Sequence, residues 1–325
     1  MMLTIAWTII SLLSITVAQT PKIERLNVEH MTIGEGPHWD VASQSLFFVD
    51  IRGPKIFKYS PQTNSAISIS LGTDPVGFIV PVKNQPDYFV VGEKLKIVVV
   101  HWDTKSNELL SKKVLVTLPE PQTNRINDGK VDAKGRLWLG TMTDGKEFEI
   151  GAGSLYSYTR KEGLVKRLDH VSISNGIATS ENNAMFYYID SLKYQVDASK
   201  FDIETGNLEN VKSIFDFVKE DIPGLPDGMT IDTDGNLWIA SFGGNEVIQI
   251  NPANGEVLQS VKFPRVCQTT SVVFGGPNLD ELYVTTAEIK ITAEEKEMFP
   301  ESGSVYRVTG LNTKGLHAAN FDLLV

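Results

Sequence analysis

The side chains best suited to chemistry in this 325-residue sequence are oxygen donors that recur in register, not a local catalytic motif. Counting back 10 to 12 positions from six apolar anchors (Phe47, Tyr88, Leu137, Phe186, Leu237 and Leu282) reaches Glu35, Gly77, Asn127, Asn175, Asp227 and Ser271. All but Gly77 supply an oxygen. Two carboxylates, Glu35 and Asp227, with the amide carbonyls of Asn127 and Asn175, make a hard-oxygen set suited to Ca²⁺ or Mg²⁺. No His or Cys shares those positions, which disfavours a zinc-preferring site. Taken singly, Asn175-Gly176 and Asp227-Gly228 are also ordinary turn pairs, so the common register carries the reading. Arg125 lies two residues before Asn127 and faces the same way on a strand. Beside a cation, its guanidinium reads as a substrate or oxyanion clamp; a surface pair with Asp128 or Asp132 is the structural alternative. His38 reads as a structural histidine. The sequence has no Gly-x-Ser-x-Gly elbow, no His-Glu-x-x-His and no P-loop. Metal-assisted hydrolysis therefore fits better than Ser-His-Asp chemistry, with Asp227 as the nearby base.

Residues more than 190 positions apart can meet only if the chain closes a ring. The stretch Leu225–Gly244 shows the unit that would build one. It reads as a tight turn at Pro226-Asp227-Gly228, a strand over 229–231, a turn over 232–236 and an apolar strand over 237–240. Similar apolar strands occur at 46–49, 88–91, 137–139, 186–189 and 282–284, so the unit repeats every 40 to 50 residues or so. A third strand follows each, at 55–59, 96–100, 154–158, 196–201, 247–250 and 304–308, and a fourth fits after most of them. This predicts an all-β, six-bladed β-propeller with four antiparallel strands per blade. The first strand of each blade would line the axial channel, its first residue pointing at one shared site. Helix is expected only as a short turn over 292–298. A pair of irregular β-sandwiches would not produce so regular a spacing.

The chain carries 30 basic and 40 acidic residues, net −10, with no Lys/Arg cluster, which argues against a nucleic-acid partner. One cysteine, Cys267, permits no intrachain disulfide and reads as a small buried hydrophobe. Residues 1–18 are apolar and end in Thr16-Val17-Ala18, small residues at the −3 and −1 positions of a signal-peptidase site. The leader carries no Lys or Arg. The expectation is a signal peptide over 1–18 and one propeller domain over 19–325, secreted, monomeric and without a membrane partner after cleavage. A non-functional leader would leave the protein cytoplasmic.

Several motifs together resemble the senescence marker protein/gluconolactonase/regucalcin family. They are Gly34-Glu35-Gly36-Pro37, Asn124–Asp132, Gly140-Thr141-Met142, Ile173–Gly176, Tyr187–Ser191 and Pro226–Met229. Phe274–Val284 and Val305–Gly315 fit as well, so the resemblance runs from about Ile33 to Gly315. Gly34–Asp40 and the C-terminal stretch are most similar to the insect luciferin-regenerating enzyme branch. The resemblance implies a six-bladed propeller with one axial divalent cation: Ca²⁺ or, at the same site, Zn²⁺, Mn²⁺ or Mg²⁺. It implies hydrolysis of a small-molecule sugar lactone of the gluconolactone type. Glu35, Asn175 and Asp227 match the family's metal ligands, Asp227 also its proposed base, and Arg125 and Asn127 its substrate-binding pair. Where the family carries a substrate-contacting Glu after Gly-Thr-Met, this chain has glycine, and Glu147 or Glu149 is the candidate replacement. Two other readings keep the same site. One is a luciferin-regenerating type of enzyme acting on an aromatic nitrile or ester; the other is a secreted Ca²⁺-binding propeller without catalysis.

Overall fold

In the strand Ser45–Asp50 every residue is buried, because successive side chains serve two different interfaces. Phe47 and Val49 pack on one side with Phe89 and Val91, while Leu46 and Phe48 pack on the other with Tyr283. A sheet buried on both faces reads as a continuous apolar run, and six such runs make the anchors of the sequence. In the computed structural model, which describes residues 20–145 and 148–324, these runs are the second strands of six four-stranded antiparallel sheets. The sheets form a six-bladed propeller, with blades at residues 34–70, 76–117, 124–171, 174–216, 225–262 and 268–309. Six apolar clusters fill the spaces between neighbouring blades, one per space.

The inner strands are Gly34–Asp40, Val76–Pro81, Asn124–Val131, Ser174–Thr179, Leu225–Ile231 and Gln268–Gly275. Each contacts the next, and the sixth contacts the first, so the ring closes. The fourth strand of the last blade, which the sequence left unplaced, comes from the start of the chain. Lys22–Arg25 pairs antiparallel with Val305–Thr309, Lys22 opposite Thr309 and Arg25 opposite Tyr306. The expected helical turn is the helix Ala293–Met298, held by a reciprocal cap in which Glu295 N donates to Thr292 Oγ1 at 3.1 Å and Thr292 N to Glu295 Oε2 at 2.7 Å.

The stretch 225–244 folds into two strands joined by a turn, with one correction. Pro226-Asp227-Gly228 is not a turn; it lies inside the continuous strand Leu225–Ile231. The turn at 232–236 is organised by Asp232, whose Oδ1 accepts the backbone N–H groups of Asp234 at 3.0 Å and Asn236 at 2.8 Å, while Oδ2 accepts Trp238 Nε1 at 2.9 Å and Gln249 Nε2 at 2.7 Å. Asp132 does the same work two blades earlier for Trp138 Nε1 at 2.9 Å and Arg136 at 2.9 Å. Residues 1–18 lie outside the described residues, among which no helix is long and apolar enough to cross a membrane.

Candidate metal and active centre

The pairing of every inner strand with its neighbour is interrupted near the channel. Register breaks fall between Glu35 and His38, Val76 and Ile79, Ile126 and Gly129, Ser174 and Ile177, Pro226 and Met229, and Thr269 and Ser271. A β-bulge re-aims the side chain at the irregular position. The oxygen donors are therefore not the first residues of their strands, as the repeat alone implied: Asn127, Asn175 and Asp227 occupy the irregular positions themselves, while Glu35 and Ser271 are paired residues beside theirs. Gly176 and Gly228, which follow Asn175 and Asp227, are packing residues rather than turn formers, whereas Gly36, after Glu35, has φ +53°. A Cβ on Gly176 would lie 2.8 Å from the backbone oxygen of Asp227, and one on Gly228 would lie 2.6 Å from Ser271 Cα. Gly77 has the same cause: a side chain there would begin 2.5 Å from the backbone oxygen of Asn127.

Glu35, Arg125, Asn127, Asn175 and Asp227 all line one pocket of about 240 Å³. Ser271 is buried but does not line it; the neighbouring Thr270 does. Gly145 sits in the wall, whereas Glu149 is exposed and outside it. Glu147 lies outside the described residues.

A chain of hydrogen bonds ties the site together across three blades. Arg125 donates to Asn127 Oδ1 at 2.6 Å, and Asn127 Nδ2 donates to Asn175 Oδ1 at 2.7 Å. Asn175 Nδ2 donates to Ser191 Oγ at 2.8 Å, and Ser191 Oγ donates to the carbonyl of Pro226, next to Asp227, at 2.7 Å. Asn127 Nδ2 also donates to Ser174 O at 2.8 Å, so its amide N–H groups are both engaged. Asn127 thus links the arginine to the other asparagine. The strands bearing Glu35 and Asn175 are further pinned by Asp50 and Asp190, whose carboxylates accept the backbone N–H groups of Ile33 and Ile173, each at 3.0 Å.

Sequence reasoning missed Ser191, Asp50 and Asp190; the recurring acid at the end of the second strand was the available signal for the last two. Removing the Ser191 hydroxyl in Ser191→Ala frees the Asn175 amide to turn. Cation affinity is expected to fall about tenfold, the usual effect of losing an outer-shell partner, as read by calorimetric titration with Ca²⁺.

Arg125 pairs with neither Asp128 nor Asp132. Its Nε lies 3.3 Å from Asp144 Oδ1, while Asp132 is taken by Arg136. Burial first, and then the nearby Arg52 charge, lowers the Arg125 pKa to about 10. His38 is buried, contacts Asn320 Oδ1 at 3.0 Å and is held neutral by burial, its pKa lowered to about 4. Both fit the structural role read for it.

The two carboxylates are under opposing stresses that a cation would relieve. Burial, followed by repulsion from Asp128, raises the Glu35 pKa to about 8. Burial, followed by Glu35 and Asp128, raises that of Asp227 well above its usual value. Asp227 Oδ1 is buried without a hydrogen-bond partner, a costly state for a carboxylate oxygen. Among the described residues, Glu35 Oε2 accepts only the N–H of Gly36, at 2.8 Å. Among the described residues no group of three His, Cys, Asp or Glu side chains is arranged to hold a metal. The candidate set is two carboxylates with amide oxygen, which is chemistry for a hard divalent cation.

The fold and site define a class: six-bladed propellers with an acidic, amide-bearing centre at the channel mouth. The family model described as "SMP-30/Gluconolactonase/LRE-like region" matches residues 33–288, and the chain belongs to that family. It is 37% identical to regucalcin of Danio rerio over 295 residues, covering 91% of this chain and 96% of the relative. A solved luciferin-regenerating enzyme is 38% identical and superposes with a TM-score of 0.87, covering 94% of this chain and 100% of the other. A calcium-binding regucalcin from Agrobacterium tumefaciens has the same fold at 24% identity, TM-score 0.81, covering 91% and 96% of the two chains.

Proposed function

We propose that this protein is a metal-dependent lactone hydrolase whose resident cation, Ca²⁺ first, is held by Glu35, Asn175 and Asp227. The observation that carries the reading is the buried, unpartnered Asp227 Oδ1 beside a second buried carboxylate. The bound cation would polarise the lactone carbonyl and acidify water. Asp227 takes the proton from the attacking water at its carboxylate. Arg125 offers its guanidinium to the substrate oxygens, and Asn127 keeps that guanidinium aimed into the pocket. Ile33, Ile51, Ile173 and Phe242 supply walls that exclude bulk water from the reacting centre. The test is acid release from gluconolactone by the purified chain, with Ca²⁺, Mg²⁺, Mn²⁺ or Zn²⁺ added after chelation. Turnover that appears only with metal is expected.

The apolar walls favour a second reading, an aromatic ester or nitrile substrate as in a luciferin-regenerating enzyme. Turnover of an aryl ester with none of gluconolactone would select it. We read residues 1–18 as a secretory signal and the mature protein as a secreted monomer; an N-terminus beginning at Gln19 on the protein recovered from medium would support this.

The raised carboxyl pKa values give a pH test of the site without turnover. Between the ordinary 4.5 of a glutamate and about 8, the folded chain holds a proton on Glu35 that the unfolded chain has released. Stability of the metal-free protein therefore falls as pH rises through that interval. Below 6.5 the buried neutral His38 acts in the opposite direction, so the window to measure is pH 6.5 to 8. The thermal midpoint is expected to drop across it without metal and to hold with Ca²⁺. A midpoint insensitive to both pH and Ca²⁺ would remove the paired carboxylates as a cation site.

A further inference from the structure

The wall of the pocket carries a concentration of positive charge that a neutral sugar lactone would not use. Asp144 is a half-buried carboxylate at the end of the strand pair in the third blade. It is met by Arg52 at 2.7 Å, Lys94 at 2.9 Å and Arg125 at 3.3 Å, from three successive blades. Arg125 also faces Glu35 and Asp227, which leaves Arg52 and Lys94 against Asp144, an excess of one. One of these two cations would suffice to neutralise Asp144 and fasten its loop; the other is not explained by that role. Arg52 lines the pocket, and its side chain is 37% exposed. Among the described residues Asp144 is the one polar partner of its guanidinium, which leaves several of its five donors for another acceptor. Arg125 Nε is buried and makes no hydrogen bond of good geometry.

The same pocket has apolar walls: Ile33, Ile51, Ile173, Phe242 and Ile289. A polyhydroxylated ring would bury its hydroxyls against those carbons unpaired. The Gly145 position supplies no side-chain acceptor for them either.

Resting on the hydrolase reading above, we infer that the substrate is an amphiphilic lactone or ester: an apolar, ring-sized body bearing an anionic group, with that anion seated on Arg52 at the pocket mouth. A carboxylate matches the planar fork of a guanidinium. The body lies against the isoleucine and phenylalanine walls, and the reacting carbonyl faces the acidic floor. The ester bond breaks by addition of water, yielding a second carboxylate and the ring-opened alcohol or phenol, so no co-reactant is needed.

The test compares a matched pair of aromatic δ-lactones, dihydrocoumarin-6-carboxylate and its neutral 6-carboxamide, on the metal-loaded chain. The expected result is a higher kcat/KM for the carboxylate. The carboxylate-to-carboxamide ratio should fall about tenfold in Arg52→Gln, as the loss of one charge-assisted contact, and fall in wild type as salt is raised. Lys94→Gln removes a cation from Asp144 without touching the pocket wall, so the ratio should move there by less than about twofold. A ratio near one in wild type, or an equal fall in both variants, would overturn the anion seat while leaving lactone hydrolysis standing. If neither lactone is turned over, calorimetry with the ring-opened dicarboxylate separates the two ideas. Binding weakened by Arg52→Gln keeps the seat and removes the hydrolase; no binding removes both.

Discussion

Asp227→Ala is expected to lower lactone turnover by about 10³-fold or more while leaving the metal-free fold as stable as wild type, or more so. The activity estimate follows from loss of a general base and a cation ligand in one side chain. The stability estimate follows from the site itself. Asp227 Oδ1 has no hydrogen bond to lose, the carboxylate takes the one backbone N–H of Gly228, and its charge is opposed by burial, Glu35 and Asp128. A carboxylate serving only the fold would behave in the opposite way, since its removal would strand donors. Two partner variants separate its two tasks. Glu35→Gln keeps an oxygen but removes a charge, so cation affinity falls and excess metal restores much of kcat. Asp227→Asn also keeps an oxygen, but it cannot take a proton at neutral pH, so excess metal leaves kcat low. Rescue of Asp227→Asn by metal alone would remove Asp227 as the base and leave it a ligand.

How much of this site could be read in advance depended on where each side chain packs. The second strands were legible because both faces are buried, which writes apolar runs such as Leu237-Trp238-Ile239-Ala240 into the sequence. The outer strands were legible only in outline, as a fourth strand fitting after most of the third ones, without bounds. Glu108–Thr117 is mostly exposed and so is not constrained to any pattern, and Lys22–Arg25 closes the last blade with four residues, three of them exposed. The oxygen donors were legible because the bulges recur at nearly constant distance from the apolar anchors. Their local shape was not, because Asn-Gly and Asp-Gly favour turns by the same small size that lets two strands approach. Arg52, Lys94 and Asp144 escaped notice because they come from the ends of strand pairs in different blades and meet only through the ring.

That close approach yields the second large effect. Gly176→Ala is expected to destabilise the fold by about 1–3 kcal/mol, the range for overpacking, and to weaken cation binding with it. Gly176 is not among the residues with positive φ, so alanine meets no backbone strain there. The obstacle is space. Its Cβ would lie 2.7 Å from Met229 Cβ and 2.8 Å from both the Asp227 backbone oxygen and Ile189 Cδ1. A backbone carbonyl cannot turn aside as a side chain can, so relief requires the inner strand of the fifth blade to move outward, carrying Asp227 away from Asn175. Gly235→Ala is the contrast. Gly235 has φ +83° and open space around its Cβ, so alanine costs backbone strain alone, in a turn remote from the pocket lining. It should lower the thermal midpoint and leave the Ca²⁺ affinity as it was. If Gly176→Ala instead unfolds and titrates with Ca²⁺ like wild type, contact between neighbouring inner strands does not set the spacing of the oxygen donors.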